Sequence, residues 1–214
     1  NKLGLENLIL LSDDNCCSMQ SLEKETFEFF KKVAGYDTLR LILCKKSILV
    51  EGDSDELVVQ RAYMDTHEGR LPIQDGIDVM TVGGVTFKRY LEIAQTLNKE
   101  TAVVTDNDGN IEAVKKKYKE YEKTPCIHIC VDEVVDTGDL KLSDKDFNYN
   151  TLEPKILKEN GRDVMNKIFG TNYDADDEMH KYMYTHKTDC AIAIFESATK
   201  IKYPEYIMRA IKNE

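Results

Sequence analysis

The feature that most constrains the fold is a regular alternation of short apolar segments and amphipathic segments between residues 46 and 131. The apolar segments are rich in valine, isoleucine and threonine, as buried strands are. The segments between them carry apolar residues at helical spacing. Strands and helices that alternate in this way form a parallel sheet with right-handed crossovers. We therefore predict strands at residues 47–50, 78–82, 101–105 and 125–131, and helices at about 53–67, 86–97 and 111–122.

The sequence on either side of this region gives weaker patterns. An apolar run at 8–11 predicts a short strand, residues 21–33 predict a helix with Ser21 as its N-cap, and residues 38–45 are ambiguous. We expect a polar loop at 136–150, a short apolar segment at 152–157, a helix at 159–169, an acidic loop at 171–178 and helices at 186–196 and 203–212. The predicted fold class is α/β, with a mainly parallel central sheet, helices on both faces and a smaller, mostly helical C-terminal part.

The composition limits the class of protein. The chain has 214 residues, of which 42% are hydrophobic, enough for one large domain with a core. No apolar run approaches the roughly 20 residues of a membrane span, and no secretory signal pattern is present. We expect a cytoplasmic protein with reduced cysteines, among which Cys126 and Cys130 alternate with isoleucines and are expected in a buried strand together with His128.

The net charge of −10 argues against a surface covered with phosphate-binding groups. It does not exclude a nucleic-acid enzyme, because a metal site is itself a cluster of carboxylates. The basic stretches at 88–89 and 115–117 are typical of solvated helix faces. Within them, Lys88 and Arg89 are the candidate DNA contacts.

Acidic side chains follow two of the predicted strands. The sequence ILVEGDSDE places Glu51 at the end of the first strand and Asp55 four residues later, in the first turn of the next helix. The sequence TDNDGN places Asp106 and Asp108 after the third strand, on the same side of the segment if it is extended. Because ligand sites of open α/β sheets form beyond the carboxyl ends of the strands, we expect these carboxylates to converge.

Four carboxylates at one sheet edge are unstable without a compensating positive charge. Hard oxygen ligands select Mg²⁺ or Mn²⁺ rather than zinc, and two such ions about 4 Å apart support in-line attack on a phosphodiester. Any single acidic residue after a strand often only caps the next helix. For the four together, a divalent-metal site is the better interpretation.

Three other acidic motifs fit this sequence less well. DNDGN resembles the DxDGT nucleophile motif of haloacid-dehalogenase-type phosphatases, but that motif follows the first strand of its domain, and here the strand carrying EGDSD comes earlier. Phospho-receiver domains have paired acids after their first strand and a single aspartate after their third, the reverse of this chain. An EF-hand is excluded because Ile111 stands where the loop glycine belongs.

ILVEG followed about fifty residues later by VVTDNDG resembles the Toprim domain, which topoisomerases, primases and several nucleases share. The wider segments LRLILCKKSILVEGDSDELVVQRAY, IDVMTVGGVTFKRYLEIA, NTLEPKI and HKTDCAIAIFE are similar to the C-terminal half of OLD-family (overcoming lysogenization defect) nucleases. Those proteins join an N-terminal ABC-type ATPase to a C-terminal Toprim nuclease. The resemblance implies that residues 1–45 are the tail of the ATPase half and a connector, 46–135 the Toprim core, and 136–214 an extension that completes the nuclease site.

The resemblance also implies roles for the acidic residues. Glu51 is expected to bind a metal ion near the attacking water, and Asp55 to hold the second metal. Asp106 and Asp108 are expected to bind the first metal. Glu153, in TLEPKI, matches a further acidic ligand downstream.

Two further residues receive roles in the same way. Lys187, in HKTDCA, matches a lysine that stabilises negative charge on the scissile phosphate or the leaving group. Ser54 is expected to contact a metal ion through water. No GxxxxGK[ST] motif occurs, so no ATP site is expected in this chain.

The function implied is a metal-dependent DNA endonuclease that nicks or cleaves DNA with two Mg²⁺ or Mn²⁺ ions per site. Its expected partners are DNA and the ATPase half of the full-length protein; an oligomer of this chain is left open, and no membrane is expected. Three alternatives also remain open. They are a topoisomerase or primase module, a DxDGT-type phosphatase, and a non-catalytic domain that binds Mg²⁺ for assembly.

Overall fold

The computed structural model describes residues 9–12, 15–18, 21–33, 36–83, 86–138, 140–142, 145–146 and 149–212. An antiparallel pair of strands, β1 (Ile9–Ser12) and β2 (Asn15–Ser18), comes before helices α1 (Lys24–Val33) and α2 (Tyr36–Leu43). The strand predicted at 8–11 is confirmed for its described part; residue 8 lies outside the described residues. Ser21 is not the N-cap of α1, because its hydroxyl donates to the carbonyl oxygen of Ser18 at 2.7 Å and the helix begins three residues later.

The central sheet confirms the predicted parallel topology. It consists of β3 (Lys46–Val50), β4 (Ile77–Thr81), β5 (Glu100–Val104) and β6 (Ile127–Cys130), in the order β4-β3-β5-β6. Every pairing is parallel, and Ile48 of β3 stands opposite both Val79 and Ala102. The carboxyl ends of all these strands therefore lie at one edge of the sheet.

Alternate side chains of the strands point to opposite faces and form two hydrophobic cores. Ile48, Val79 and Ala102 belong to one core, and Leu49 and Val103 belong to the other. Helices cover both faces, as the sequence predicted, because a sheet that is buried on both sides needs an apolar layer over each.

The helices that connect the strands are close to their predicted bounds. They are α3 (Asp53–Thr66), α4 (Phe87–Thr96) and α5 (Ile111–Tyr118). A 3-10 turn continues α5 to Tyr121. The first helix packs in the core that contains Ile48, and the other two contribute Phe87 and Tyr118 to the opposite core.

The C-terminal part is mostly helical, as predicted, but some of its elements were not foreseen. It contains a short antiparallel pair, β7 (Lys141–Leu142) and β8 (Lys145–Asp146), and the helices α6 (Leu152–Asn160), α7 (Arg162–Phe169), α8 (Asp176–Thr185), α9 (Lys187–Glu196) and α10 (Glu205–Lys212). The acidic loop predicted at 171–178 is wrong in its second half, where α8 begins. The helix predicted at 159–169 is interrupted at Gly161, whose φ of 77° few other residues adopt.

Helix α9 packs along α3 in the first core. Arg61 of α3 donates to the carbonyl oxygens of Phe195 at 2.7 Å and Ile194 at 3.4 Å, at the C-terminal end of α9. The same guanidinium forms an ion pair with Asp65 at 3.0 Å. Arg61 therefore fixes the end of α9 that lies opposite Lys187.

Cys126 and Cys130 are buried, as predicted. The expectation that His128 belongs to the core is wrong: its ring is partly exposed, and Nε2 lies 3.3 Å from Oε2 of Glu100 on the neighbouring strand. Within the described ranges, the structure has no helix that is both long and apolar enough to cross a membrane.

Candidate functional site

The carboxyl ends of β3 and β5 bring two of the predicted acidic segments together. These strands pair directly, with Leu49 opposite Val103. Glu51 and Thr105 follow at adjacent strand ends, and the Thr105 hydroxyl donates to Oε1 of Glu51 at 2.9 Å. The Glu51 side chain is exposed, so this carboxylate is fixed on one oxygen at the surface of the site.

Asp55 lies in the first turn of α3 and reaches back toward β3, as its spacing predicted. Its Oδ2 accepts a hydrogen bond from the backbone N–H of Gly52 at 3.0 Å. Burial raises the pKa of Asp55 to about 6; the Gly52 hydrogen bond opposes this rise, and the negative charges of Glu153 and Glu51 add to it. Asp55 therefore lies within electrostatic reach of two other predicted ligands.

Asp106 is held between two elements of the C-terminal part. Its Oδ2 accepts from the backbone N–H of Leu152, at the start of α6, at 3.1 Å. Its Oδ1 accepts from the hydroxyl of Tyr206, on α10, also at 3.1 Å. Burial and the nearby charge of Asp55 raise the pKa of Asp106 to about 8, although both hydrogen bonds act to lower it.

Glu153 and Lys187 complete the cluster. The Nζ of Lys187 lies 3.0 Å from Oε1 of Glu153; the carboxylate is buried and the lysine is about half-exposed. Burial acts to lower the pKa of Lys187, but the charges of Glu153, Asp106 and Asp55 raise it above its ordinary value. A charged lysine therefore faces three carboxylates that come from α3, β5 and α6.

The predicted position of Asp108 is wrong. The segment after β5 is not extended, because Asp108 has a left-handed φ of 46° and its side chain is exposed. Asn107 stabilises this turn: its Oδ1 accepts from the backbone N–H of Gly109 at 2.9 Å. Its Nδ2 donates to the carbonyl oxygens of Asp132 at 2.9 Å and Val134 at 3.0 Å. The alternation rule that placed Asp106 and Asp108 on one side does not apply to a turn.

The remaining predicted residues lie in different surroundings. Ser54 lines a narrow gap together with Glu153 and Lys187, which agrees with its expected place beside the ligands. Lys88 forms an ion pair with Glu120 at 2.7 Å, and the guanidinium of Arg89 lies 4.9 Å from the centre of the Phe29 ring. The role of Lys88 and Arg89 as DNA contacts stays a prediction.

Sequence reasoning did not identify Tyr206, Asn107 or the Leu152 amide. Asn107 carried a signal, since it stands between the two aspartates of DNDGN. No local sequence pattern indicates a role for Tyr206, because it is one of 11 tyrosines and lies 100 residues from Asp106. A cleft of about 430 Å³ also borders Tyr206, but none of the predicted carboxylates lines it.

The chemistry of the cluster fits a hard divalent cation. Glu51, Asp55, Asp106 and Glu153 offer oxygen donors only, and Lys187 supplies the positive charge that faces them. In the part of the chain that the structure describes, no three acidic, histidine or cysteine side chains form a ready coordination sphere.

Part of this chain matches a known protein family. The sequence model of the family described as "Overcoming lysogenization defect protein-like, TOPRIM domain" matches residues 42–108. This segment contains β3, β4, β5 and the acidic residues that follow β3 and β5. A comparison with curated proteins gives no match.

Solved structures extend the similarity beyond this segment. The C-terminal region of the OLD protein of Xanthomonas campestris pv. campestris superposes with a TM-score of 0.54 at 18% sequence identity, covering 81% of this chain and 93% of that one. The C-terminal region of the Burkholderia pseudomallei OLD protein gives a TM-score of 0.52 at 18% identity, covering 79% and 96%. Residues 42–108 thus match the OLD-like Toprim domain, and the chain has the fold of the C-terminal region of OLD proteins.

Proposed function

We propose that this chain is a metal-dependent DNA endonuclease domain that hydrolyses phosphodiester bonds with Mg²⁺ or Mn²⁺, two ions per site. The observation that carries the proposal is the ion pair between Lys187 and the buried Glu153, which lies within electrostatic reach of Asp55 and Asp106. Like charges this close are stable only when protons or cations balance them. Cations bound at such a site would also neutralise the negative charge of a polyanionic substrate such as DNA.

The proposed ligands are Glu51, Asp55, Asp106, Asp108 and Glu153. A bound divalent ion supplies Lewis-acid stabilisation of the charge that develops on the phosphate oxygens. The chain contributes the fixed positions of the ligands: Gly52 holds Asp55, and Leu152 and Tyr206 hold Asp106.

Two side chains act on the substrate in this proposal. Lys187, half-exposed and held by Glu153, donates to the scissile phosphate or the leaving oxygen and stabilises its negative charge. Glu51, fixed by Thr105 through one oxygen, accepts the proton of the attacking water with the other. Ser54 orders a water molecule beside the ligands, and Lys88 and Arg89 contact the DNA backbone farther away.

The rest of the proposal concerns the protein as a whole. The similar solved structures are themselves C-terminal regions, and we propose that an N-terminal ABC-type ATPase belongs to the same protein. Residues 1–45 then form the connector, 46–135 the Toprim core and 136–214 the extension that supplies Glu153 and Lys187. Such a protein acts on DNA in the cytoplasm.

The site itself argues against the phosphatase alternative. A DxDGT-type enzyme carries its nucleophilic aspartate after the first strand of its domain, whereas Asp106 follows β5, the third strand of the central sheet in chain order. The topoisomerase alternative needs a tyrosine nucleophile that reaches the DNA, and Tyr206, which contacts Asp106, is 2% exposed and cannot be that nucleophile. The nuclease proposal needs neither.

Cleavage of supercoiled plasmid with Mg²⁺, Mn²⁺, Ca²⁺ or EDTA tests the proposal. We expect Mg²⁺ or Mn²⁺ to support nicking and linearisation, and Asp106→Ala to lower the rate at least 100-fold, roughly the effect of losing one essential charge-stabilising group. Asp163→Ala, which changes an exposed acidic residue of α7, is the matched control and should cleave like the wild type. Cleavage that persists in EDTA or in the folded Asp106→Ala protein would contradict the proposal. A folded wild type that binds Mg²⁺ but cleaves nothing would favour the assembly role.

A further inference from the structure

The hydroxyl group of Tyr206 is buried against the candidate site. The side chain is 2% exposed, and its oxygen donates to Oδ1 of Asp106 at 3.1 Å. A phenylalanine ring would fill the same space in the core, and burying a hydroxyl is unfavourable unless the group is hydrogen-bonded. The hydrogen bond to Asp106 therefore explains why a tyrosine, and not a phenylalanine, lies at this position.

The two oxygens of Asp106 are fixed by donors from different elements. Tyr206 of α10 binds Oδ1, and the N–H of Leu152, at the start of α6, binds Oδ2. One donor on each oxygen defines both the position and the plane of the carboxylate. Each oxygen accepts a second bond, so the group remains able to ligate a cation while it is held.

Helix α10 is a rigid support for the Tyr206 hydroxyl. Lys46, at the start of β3, donates from Nζ to the carbonyl oxygens of Ala210 at 2.5 Å and Ile211 at 3.4 Å. Arg209 donates to the carbonyl oxygen of Val131 at 2.6 Å, and both Ala210 and Ile211 are buried in the core. The C-terminal end of the helix is thus held by β3 and by the residue that follows β6, which fixes the helix that carries Tyr206.

We propose that Tyr206 is a positioning residue that holds Asp106 in the orientation required of a metal ligand. This inference rests on the proposed function, because it assigns Tyr206 a purpose only if Asp106 binds a divalent ion. Tyr206 acts through Asp106 and not on the substrate, since its hydroxyl is enclosed and already bonded. Loss of a hydrogen-bond donor behind a metal ligand typically lowers metal affinity about 10–100-fold.

The test compares Tyr206→Phe with Tyr203→Phe. Tyr203 lies three residues earlier and donates to Oδ2 of Asp65 at 2.6 Å, outside the carboxylate cluster. Both variants therefore lose one tyrosine–aspartate hydrogen bond, but only one loss involves a proposed ligand. Mn²⁺ binding is measured by the electron paramagnetic resonance signal of the free ion, and folding by circular dichroism and the unfolding midpoint.

We expect Tyr206→Phe to bind Mn²⁺ about 10-fold more weakly than the wild type, and Tyr203→Phe to bind it with unchanged affinity. At saturating Mn²⁺, plasmid cleavage by Tyr206→Phe should return to within about threefold of the wild type, since the ligand is displaced and not removed. A purely structural role would shift the unfolding midpoints of both variants without this difference in affinity.

Several results would overturn the proposal. Equal Mn²⁺ affinities of Tyr206→Phe and the wild type would remove the positioning role and leave the nuclease proposal intact. A Tyr206→Phe protein that does not fold would assign the hydroxyl a structural role instead. A wild type that binds no Mn²⁺ would overturn the proposed metal site, and the positioning role with it.

Discussion

Lys187 shows at the scale of single residues how charge determines the site. It lies at the start of α9, where the helix dipole disfavours a positive charge, yet its pKa is raised by the ion pair with Glu153 and by the charges of Asp106 and Asp55. The local sequence alone would place an ordinary exposed lysine there. The unfavourable position and the surrounding acidic residues together indicate a functional requirement for the charge.

Replacing Lys187 by methionine tests this requirement. Because the lysine supplies positive charge to a developing oxyanion, we expect Lys187→Met to cleave plasmid about 100–1,000-fold more slowly. Its Mn²⁺ affinity should be equal to that of the wild type or higher, because a positive charge has left the ligand cluster. Initial rates at saturating Mn²⁺ measure the effect, with Lys181→Met on exposed α8 as the control. A rate within threefold of the wild type would show that the charge is dispensable.

Some single residues of the candidate site could be predicted from the sequence, and others could not. Glu51, Asp55 and Asp106 were identifiable because acidic residues at the ends of parallel strands must meet at one edge. Asp108 was misplaced because the Asn107 side chain turns the chain, which a two-residue alternation does not describe. Tyr206 had no local signal, because a hydrogen bond formed across 100 residues leaves no periodic pattern.

At the scale of elements, strands β3 to β6 and the helices between them were predictable since buried strands and amphipathic helices have distinct periods. The acidic start of α8 was not, because Asp176, Asp177 and Glu178 form its first turn. Acidic residues there stabilise a helix through its dipole, but out of context they look like a polar loop. The hairpin of β7 and β8 is too short to produce a strand pattern.

Arg61 provides a test at this scale, because it joins α3, which carries Asp55, to the C-terminal end of α9. Its guanidinium is buried and donates hydrogen bonds to the carbonyl oxygens of Ile194 and Phe195. We expect Arg61→Met to lower the free energy of unfolding by about 2–4 kcal/mol, since it breaks a buried ion pair and removes the donor to the partly buried carbonyl oxygen of Phe195. Urea unfolding measures the change.

The control for Arg61 is the exposed ion pair between Arg162 and Asp176, whose atoms lie 3.1 Å apart. Arg162→Met should change the free energy of unfolding by less than about 1 kcal/mol. Should the two variants lose similar stability, the contact between α3 and α9 would not be the strong connection that the burial of Arg61 indicates.

At the scale of the whole molecule, the site makes stability depend on pH. The pKa values of Asp55 and Asp106 are raised to about 6 and about 8, so the folded protein binds protons that the unfolded chain releases. The stability that these two groups contribute is therefore fully present at acidic pH and is lost as pH rises from about 4 to about 8. A divalent ion, which binds the ionised carboxylates, should restore it.

Thermal unfolding in EDTA between pH 5 and pH 9 measures this dependence. We expect the wild-type midpoint to fall between pH 6 and pH 8, and Asp106→Asn to lose most of that fall because it removes the group that titrates there. Added Mg²⁺ should raise the wild-type midpoint more at pH 8 than at pH 5. Asp163→Asn is the control and should follow the wild type; the same slope in Asp106→Asn would refute the assignment.

The hydrogen bonds of Asp106 also bear on when the site forms during biosynthesis. Its partners Leu152 and Tyr206 lie 46 and 100 residues later in the chain, and contacts of such long range form only after the entropy of loop closure has been overcome. A nascent chain that has emerged from the ribosome only as far as α5 contains DNDGN but not the groups that fix it. Asp106 therefore lacks both of the donors that orient its carboxylate until α10 has been translated and has docked.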